Sequence, residues 1–224
     1  VREAARTSLL ETEARDLLAC YGVAVPPALL ARNEEDAEDV VAKLGAGPLA
    51  LKIVSKDVLH KSEAGGVKLN VAGAEAVKRA IGDITASVKR HDRAADVAGV
   101  LAAPMAEKGV EVIVGLTRDP QFGPVLMFGL GGVFVEVIRD VVFRALPLSQ
   151  ADVEEMLREL RYKAMLEGTR GLPAVDKSAL VDLMLKVAAL AAAHPEIVEI
   201  DLNPVIAHGS GYTIADARMI LAAA

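Results

Sequence analysis

The stretch Glu199-Ile200-Asp201-Leu202-Asn203-Pro204-Val205-Ile206-Ala207-His208-Gly209-Ser210-Gly211-Tyr212-Thr213-Ile214-Ala215-Asp216 reads as strand, turn, strand. Strand residues two apart share a face, so Glu199, Asp201 and Asn203 point one way while Val198, Ile200 and Leu202 point the other. With His208-Gly209-Ser210-Gly211 as a four-residue loop and a symmetric register, Asn203 stands directly against Asp216. Directly opposed side chains have Cβ atoms about 5 Å apart. Two oxygens that close can share one Mg²⁺, whose bonds are about 2.0–2.1 Å and whose other ligands are water and substrate phosphates. Spacing alone leaves a second reading open, a polar and half-solvated sheet face with a capped turn.

Working outward from this ribbon, helical and strand patterns alternate without a regular doubly wound repeat. Ser8 and Glu11 form a capping-box pattern before a helix that Gly22 ends, and Asn33 can cap a second helix running to about Leu44. Leu49 to Ser55 reads as a buried strand, Val67 to Val71 as a short one, Gly73 to Val88 as a helix and Val97 to Met105 as another buried strand. Val110 to Leu116 and Val125 to Leu130 suit a hairpin around Asp119-Pro120-Gln121-Phe122-Gly123, and Val133 to Leu146 alternates as one strand or two. Ser149 and Asp152 resemble a helix start, and Asp176 or Ser178 can cap a long Ala/Leu-rich helix that stops before Pro195. Mixed elements with hairpins imply an α+β protein of two lobes.

Composition narrows what such a chain does. It has 224 residues, of which 53 % are apolar and only 3 % aromatic, with no Trp, so its core is built from Ala, Val, Leu and Ile. Rows of base-stacking aromatics are therefore not expected. The formal net charge is −6, from 25 basic and 31 acidic residues, which argues against nucleic-acid and anionic-membrane partners and leaves phosphate binding to a local cluster. No apolar run reaches spanning length, because Lys186 breaks the best candidate. Cys20 is expected to be a small buried hydrophobe, and a lone cysteine without a disulfide framework points to the cytoplasm. Arg2, Glu3 and Arg6 stand where a signal peptide would turn apolar, and Val1 in place of Met suggests a trimmed chain.

Several further residues could carry chemistry. Lys52 interrupts the apolar strand Leu49-Ala50-Leu51-Lys52-Ile53-Val54 and needs an anion, or else snorkels to water. The loop Leu59-His60-Lys61-Ser62-Glu63-Ala64-Gly65-Gly66 has paired glycines whose N–H groups could cradle phosphate, and Lys56, Lys61 and Lys68 add positive charge. His60 could accept a phosphoryl group, since imidazole is a nucleophile near neutral pH; an ordinary polar histidine is the alternative. Glu111, within Val110-Glu111-Val112-Ile113-Val114, could accept two ribose hydroxyls or simply face solvent. Arg144, in an apolar strand, suits either a phosphate or a structural ion pair. Gly129-Leu130-Gly131-Gly132 is equally good as a bend.

Taken in order, Lys52, His60-Lys61-Ser62-Glu63-Ala64-Gly65-Gly66-Val67, Gly109-Val110-Glu111, Gly129-Leu130-Gly131-Gly132, and Glu199-Ile200-Asp201-Leu202-Asn203-Pro204 followed by Asp216 resemble the ATP-grasp subunit of ADP-forming acyl-CoA synthetases. The resemblance spans nearly the whole chain, and the His-Lys-Ser-acidic-x-Gly-Gly-Val and Asp-x-Asn-Pro runs are its most specific parts. It implies an ATP-grasp fold of two lobes with mixed or antiparallel sheets flanked by helices. Residues 1–22 would form a helix packing on the C-terminal lobe, 23–104 the small lid lobe, and 105–224 the C-terminal lobe with the Mg-ATP site. It implies ATP/ADP and Mg²⁺ as cofactors. Lys52 would meet phosphates, Met105 and Ala106 adenine, and Glu111 the ribose; Arg144 joins them as a nucleotide-binding candidate on its place in the strand alone. Asn203 and Asp216 would hold the metal, His60 would carry the phosphoryl group, and Asp201 would stabilise the phosphohistidine. Glu63 and Ala64 depart mildly from the family's commoner Asp-Val.

The same resemblance implies a partner, a CoA-binding α subunit or fused domain with a second phosphohistidine, in a hetero-oligomer. No Gly-x-Gly-x-x-Gly follows a strand in this chain, so no CoA-binding Rossmann unit is expected within it. Two other classes stay open: a non-catalytic nucleotide-sensing module, which would not need His60, and a carboxylate–amine ligase, which forms no phosphohistidine.

Overall fold

The computed structural model describes residues 6–58, 60–132, 140–168 and 173–223. The chain divides into two compact units, one built from residues 1–25 and 106–224 and the other from 26–105. Leu59 of the expected glycine-containing loop, residues 169–172, and the first part of the alternating stretch Val133 to Leu146 lie outside the described residues.

The 26–105 unit holds β1 (Leu29–Ala31), α2 (Ala37–Leu44), β2 (Leu49–Ser55), β3 (Val67–Val71), α3 (Ala74–His91) and β4 (Val97–Pro104), while α1 (Glu11–Cys20) belongs to the other unit. Its strands form an antiparallel sheet in the order β1-β4-β2-β3. Leu49, Leu51 and Ile53 alternate onto one face and pack with Val77, Ala80, Ile81, Ile84 and Val88 of α3. This spacing within α3 is the apolar stripe that drives a helix onto a sheet. Asn33 accepts from the Glu35 N–H and starts a 3₁₀ turn, Glu34–Asp36, that leads into α2.

The other unit contains α1 (Glu11–Cys20), β5 (Val110–Asp119), β6 (Gly123–Leu130), β7 (Val141–Ala145), α4 (Gln150–Glu159), α5 (Lys177–Ala193), β8 (Ile197–His208), β9 (Gly211–Ile214) and β10 (Ala217–Leu221). The six-stranded sheet runs β10-β8-β5-β6-β7, all antiparallel, with β9 also on β8. Val112, Val114, Leu116, Leu126, Phe128, Ile200 and Leu202 share one core with Val153 and Met156 of α4 and with Leu180, Leu183, Met184 and Val187 of α5. Ser149 and Asp152 cap α4 reciprocally, and Asp176 accepts from the Ala179 N–H to cap α5. Both sheets are antiparallel and both carry helices, which makes the fold α+β as expected.

Two local expectations need correction. Helix α1 begins at Glu11, not beside Ser8; Glu13 accepts the Leu10 N–H at 2.7 Å, and Ser8 instead bridges to Ile220. Cys20 is exposed, because α1 buries Glu11, Ala14, Arg15 and Leu18, a face from which Cys20 is turned away.

Candidate functional site

The terminal ribbon is a tight hairpin. His208 pairs with Gly211, so the turn is the two residues Gly209 and Ser210 and not four. The register is unchanged by this shortening: Leu202 pairs with Ala217, Asp201 with Arg218, and the Asn203 N–H donates to the Asp216 carbonyl at 3.3 Å. Asn203 and Asp216 therefore stand opposite each other. On the other side of β8, Val205 pairs with Val112 and Leu202 with Val114, so Asn203 and Pro204 together occupy the place opposite Ile113 alone. Such a bulge turns a strand locally and often re-aims a side chain. Here Val205 and Ala207 return to the core while Asn203 remains exposed.

Cross-strand partners share a face. Gly115 pairs with Asp201, Thr117 with Glu199, and Arg218 with Asp201, so these residues line the sheet face opposite the α4–α5 core. Glu111 lies on that face further along β5, opposite Ile206. A Cβ on Gly131 would come 3.1 Å from the Glu111 Cβ, and one on Gly132 would come 2.7 Å from its carboxylate. The Gly131 N–H also donates to the Glu111 carbonyl at 2.7 Å. Gly131 and Gly132 of the Gly129-Leu130-Gly131-Gly132 run thus clear space around Glu111, a meaning their spacing alone did not carry.

Charge on this face is dominated by carboxylates. Burial pushes the Asp201 carboxyl up, and Glu199 and Asp216 add to the rise, while Arg218 works against it. Arg218 is ion-paired with Glu199. Buried Arg15 of α1 has its guanidinium pushed down by burial, with Glu11 and then Asp216 working the other way. Among the described residues no three or more His, Cys, Asp or Glu side chains cluster as metal ligands. The donor set at the bulge is one amide oxygen and one carboxylate. That all-oxygen, two-ligand set fits Mg²⁺, which keeps waters and takes phosphate oxygens, and fits poorly a metal needing a closed protein cage.

The other candidates are placed as follows. Lys52 is 9 % exposed, pairs with Val67 and Leu101, and lies on the face of its sheet away from Leu51 and Ile53. His60 is exposed at the start of a turn whose neighbours Val58 and Ala64 are buried in the second core. The expected phosphate nest is not present there: the Gly65 N–H donates to the Ser62 carbonyl and the Gly66 N–H to the Lys61 carbonyl at 2.7 Å. Those donors are consumed in closing the loop. Lys56 and Lys68 are paired with Asp96 and Asp83. The Met105 N–H donates to the Pro48 carbonyl at 3.0 Å; Met105 is the last residue of the 26–105 unit and Ala106 belongs to the other.

Arg144 is the candidate that the structure separates from the rest. Its partner in register is Leu126, a fully buried core residue, so Arg144 points to the helix side and pairs with Glu155 and Glu159 of α4. Those carboxylates also hold its guanidinium up. The structural ion pair, not the phosphate, is what strand alternation delivers here. A cavity of about 580 Å³ beside α4 and α5, lined by Glu154, Leu157, Arg158, Val181 and Leu185 among others, holds none of the candidates. Arg218 was not singled out by sequence reasoning, although the hairpin register that pairs Asn203 with Asp216 also sets it against Asp201.

An ATP-grasp domain family model matches residues 1–221. The chain is 46 % identical over 213 residues to the acetate–CoA ligase [ADP-forming] I subunit beta of Pyrococcus furiosus, covering 95 % of this chain and 91 % of that one. It is also 46 % identical over 209 residues to the acetate–CoA ligase [ADP-forming] I of Archaeoglobus fulgidus, covering 93 % of this chain but 30 % of that longer one. Among solved structures it resembles the dinucleotide-forming acetyl-coenzyme A synthetase 1 of Ca. Korarchaeum cryptofilum in complex with coenzyme A, Ca-AMPCP and HgCl⁺. The TM-score is 0.95 at 46 % identity, covering 99 % of this chain and 96 % of that one. A second structure of that enzyme, with coenzyme A and Mg-AMPPCP and its phosphohistidine segment pointing towards the nucleotide binding site, matches at a TM-score of 0.83 and 42 % identity, with 99 % and 96 % covered.

Proposed function

This chain belongs to the ATP-grasp family of β subunits of ADP-forming acetate–CoA ligases, and from that premise we propose that it is the Mg-ATP-binding part of an ADP-forming acyl-CoA synthetase. The observation that carries the reading is the bulged ribbon that sets Asn203 against Asp216 on the open face of the six-stranded sheet. ATP/ADP and Mg²⁺ are its cofactors, and Asn203 and Asp216 are the residues that would hold the metal. Mg²⁺ bound there offsets negative charge on the transferring phosphoryl group.

The remaining roles fall to residues with the right chemistry. The buried ammonium of Lys52 meets the nucleotide phosphates. Met105 and Ala106 take adenine through backbone groups, and Glu111 takes the ribose hydroxyls in the space the glycines leave. A His60 ring nitrogen attacks the γ-phosphorus; the N–P bond forms as the bond to the β–γ bridging oxygen breaks, and ADP leaves with the electron pair. Asp201 accepts a hydrogen bond from the other ring nitrogen of the phosphohistidine. The partner is a CoA-binding α subunit or fused domain with its own phosphohistidine. With it, carboxylic acid, CoA and ATP interconvert with acyl-CoA, ADP and phosphate through an acyl phosphate.

Incubation with γ-labelled ATP and Mg²⁺, with and without the CoA-binding partner, tests the relay. Acid-labile label is expected on the wild-type chain and absent from His60→Ala. Tight ATP binding with no label under either condition would overturn the relay and leave a nucleotide sensor.

A further inference from the structure

Three charged side chains on the open face are paired against the geometry that their strands offer. Asp201 and Glu199 lie two apart on β8 and share a face, and Arg218 of β10 is directly opposite Asp201. The nearest salt bridge would be Arg218 to Asp201. Instead the Arg218 Nη2 donates to Glu199, its diagonal neighbour, within reach of so long a side chain. Two consequences follow in the same structure. The Nε of Arg218 is buried without an acceptor, and among the described residues the Asp201 carboxylate makes no hydrogen bond or ion pair. An unmade buried hydrogen bond in a folded protein calls for a reason, and such local conflicts gather at functional sites.

We propose that Glu199 is a positioning residue for phosphoryl transfer: by holding the Arg218 guanidinium it keeps that cation off the facing carboxylate of Asp201, which stays open to the phosphohistidine imidazole. The inference rests on the reading of Asp201 as the group that receives the phosphohistidine. Without Glu199, the directly opposed pair is the favoured one. A guanidinium clamped on Asp201 with two N–H groups would occupy the oxygens that the imidazole N–H needs. Glu199 therefore matters by what it prevents, and its loss is repaired by removing the competitor.

The test uses the chain with its CoA-binding partner, γ-labelled ATP and Mg²⁺, and compares wild type, Glu199→Gln and Glu199→Gln/Arg218→Met. Two quantities are followed: the rate at which label enters His60, and the Kd for Mg-ATP. Glu199→Gln is expected to slow labelling roughly tenfold or more while its Kd for Mg-ATP stays within about threefold. The double variant is expected to return to within about threefold of the wild-type rate, a rescue that a purely structural ion pair would not show. A wild-type rate in Glu199→Gln, or a double variant as slow as the single, overturns the proposal. Should Glu199→Gln not fold, the double variant decides alone: a near-wild-type rate supports the proposal and a slow one overturns it. A wild-type chain that binds Mg-ATP but takes up no label overturns the relay reading itself, and the proposal with it.

Discussion

Pro204 has no N–H to give to β5, and β8 accommodates it by placing Asn203 and Pro204 together against Ile113. Without that bulge, strict alternation would put Val205 and Ala207 on the face of Asp201 and out of the core they fill. One proline thus explains both why Asn203 is exposed and why the strand stays buried beyond it. Asp216 is the only charged member of the opposed pair, so its carboxylate carries most of the electrostatic attraction for Mg²⁺. Asp216→Ala is expected to weaken Mg-ATP binding roughly tenfold or more, by the loss of one charged metal ligand. Asp216 lies in the break between β9 and β10, where no strand hydrogen-bond ladder depends on its side chain. Its charge also acts on the buried guanidinium of Arg15, so the variant is expected to keep the fold with a lower melting temperature. Titration calorimetry with and without Mg²⁺ reads the first quantity; an unchanged affinity would remove the metal assignment.

At the scale of elements, the hairpins and helix starts were legible because their signals are local. The Asp119-Pro120-Gln121-Phe122-Gly123 turn, with the Asp119 side chain accepting from the N–H groups of Gln121 and Phe122, and the Ser149-Asp152 capping box all fall where the residues indicated. What was not legible is which face of an element meets which neighbour. Alternation in β7 could not say that Arg144 faces α4, because that depends on the register with Leu126. Periodicity in α1 could not say that Glu11 and Arg15 are buried and Cys20 is not, because the charged pair is buried near Asp216, far along the chain. Arg118 is a further long-range device. Its guanidinium donates to the carbonyls of Ala191 and His194, at the end of α5, and to that of Ile197, which opens β8. Arg118→Met takes the charged donor from all three, of which the His194 carbonyl keeps the Ile197 N–H, and a loss of about 2–4 kcal/mol is expected from hydrogen bonds to a charged group. Urea unfolding followed by circular dichroism would show it as a lower midpoint with an unchanged slope; an unchanged midpoint would mean that water replaces the guanidinium at no cost.

For the whole molecule, two separate hydrophobic cores matter more than any one contact. One binds α4 and α5 to the six-stranded sheet that bears Glu111, Asp201, Asn203 and Asp216; the other binds α3 to the four-stranded sheet that bears Lys52 and anchors the His60 loop through Val58 and Ala64. The chemistry proposed for the chain draws on residues from both, so the cores need not be equally stable for each to hold its own part of the machinery. Ile84 is fully buried in the middle of α3 and touches only the second of these clusters. Ile84→Ala removes three carbons from a packed site, a change that costs about 2–5 kcal/mol where the surroundings cannot collapse. Opening free energies differ between cooperative units, so the loss should be read locally. Amide exchange is expected to speed up at Leu51, Ile53 and Leu101, whose strands form the 26–105 sheet, and to remain at wild-type rates at Val112, Val114 and Leu202 in the β5–β8 ladder. Equal acceleration in both sets would show that the two cores unfold as one cooperative unit, and that the division of the chain into separately stabilised halves has no energetic counterpart.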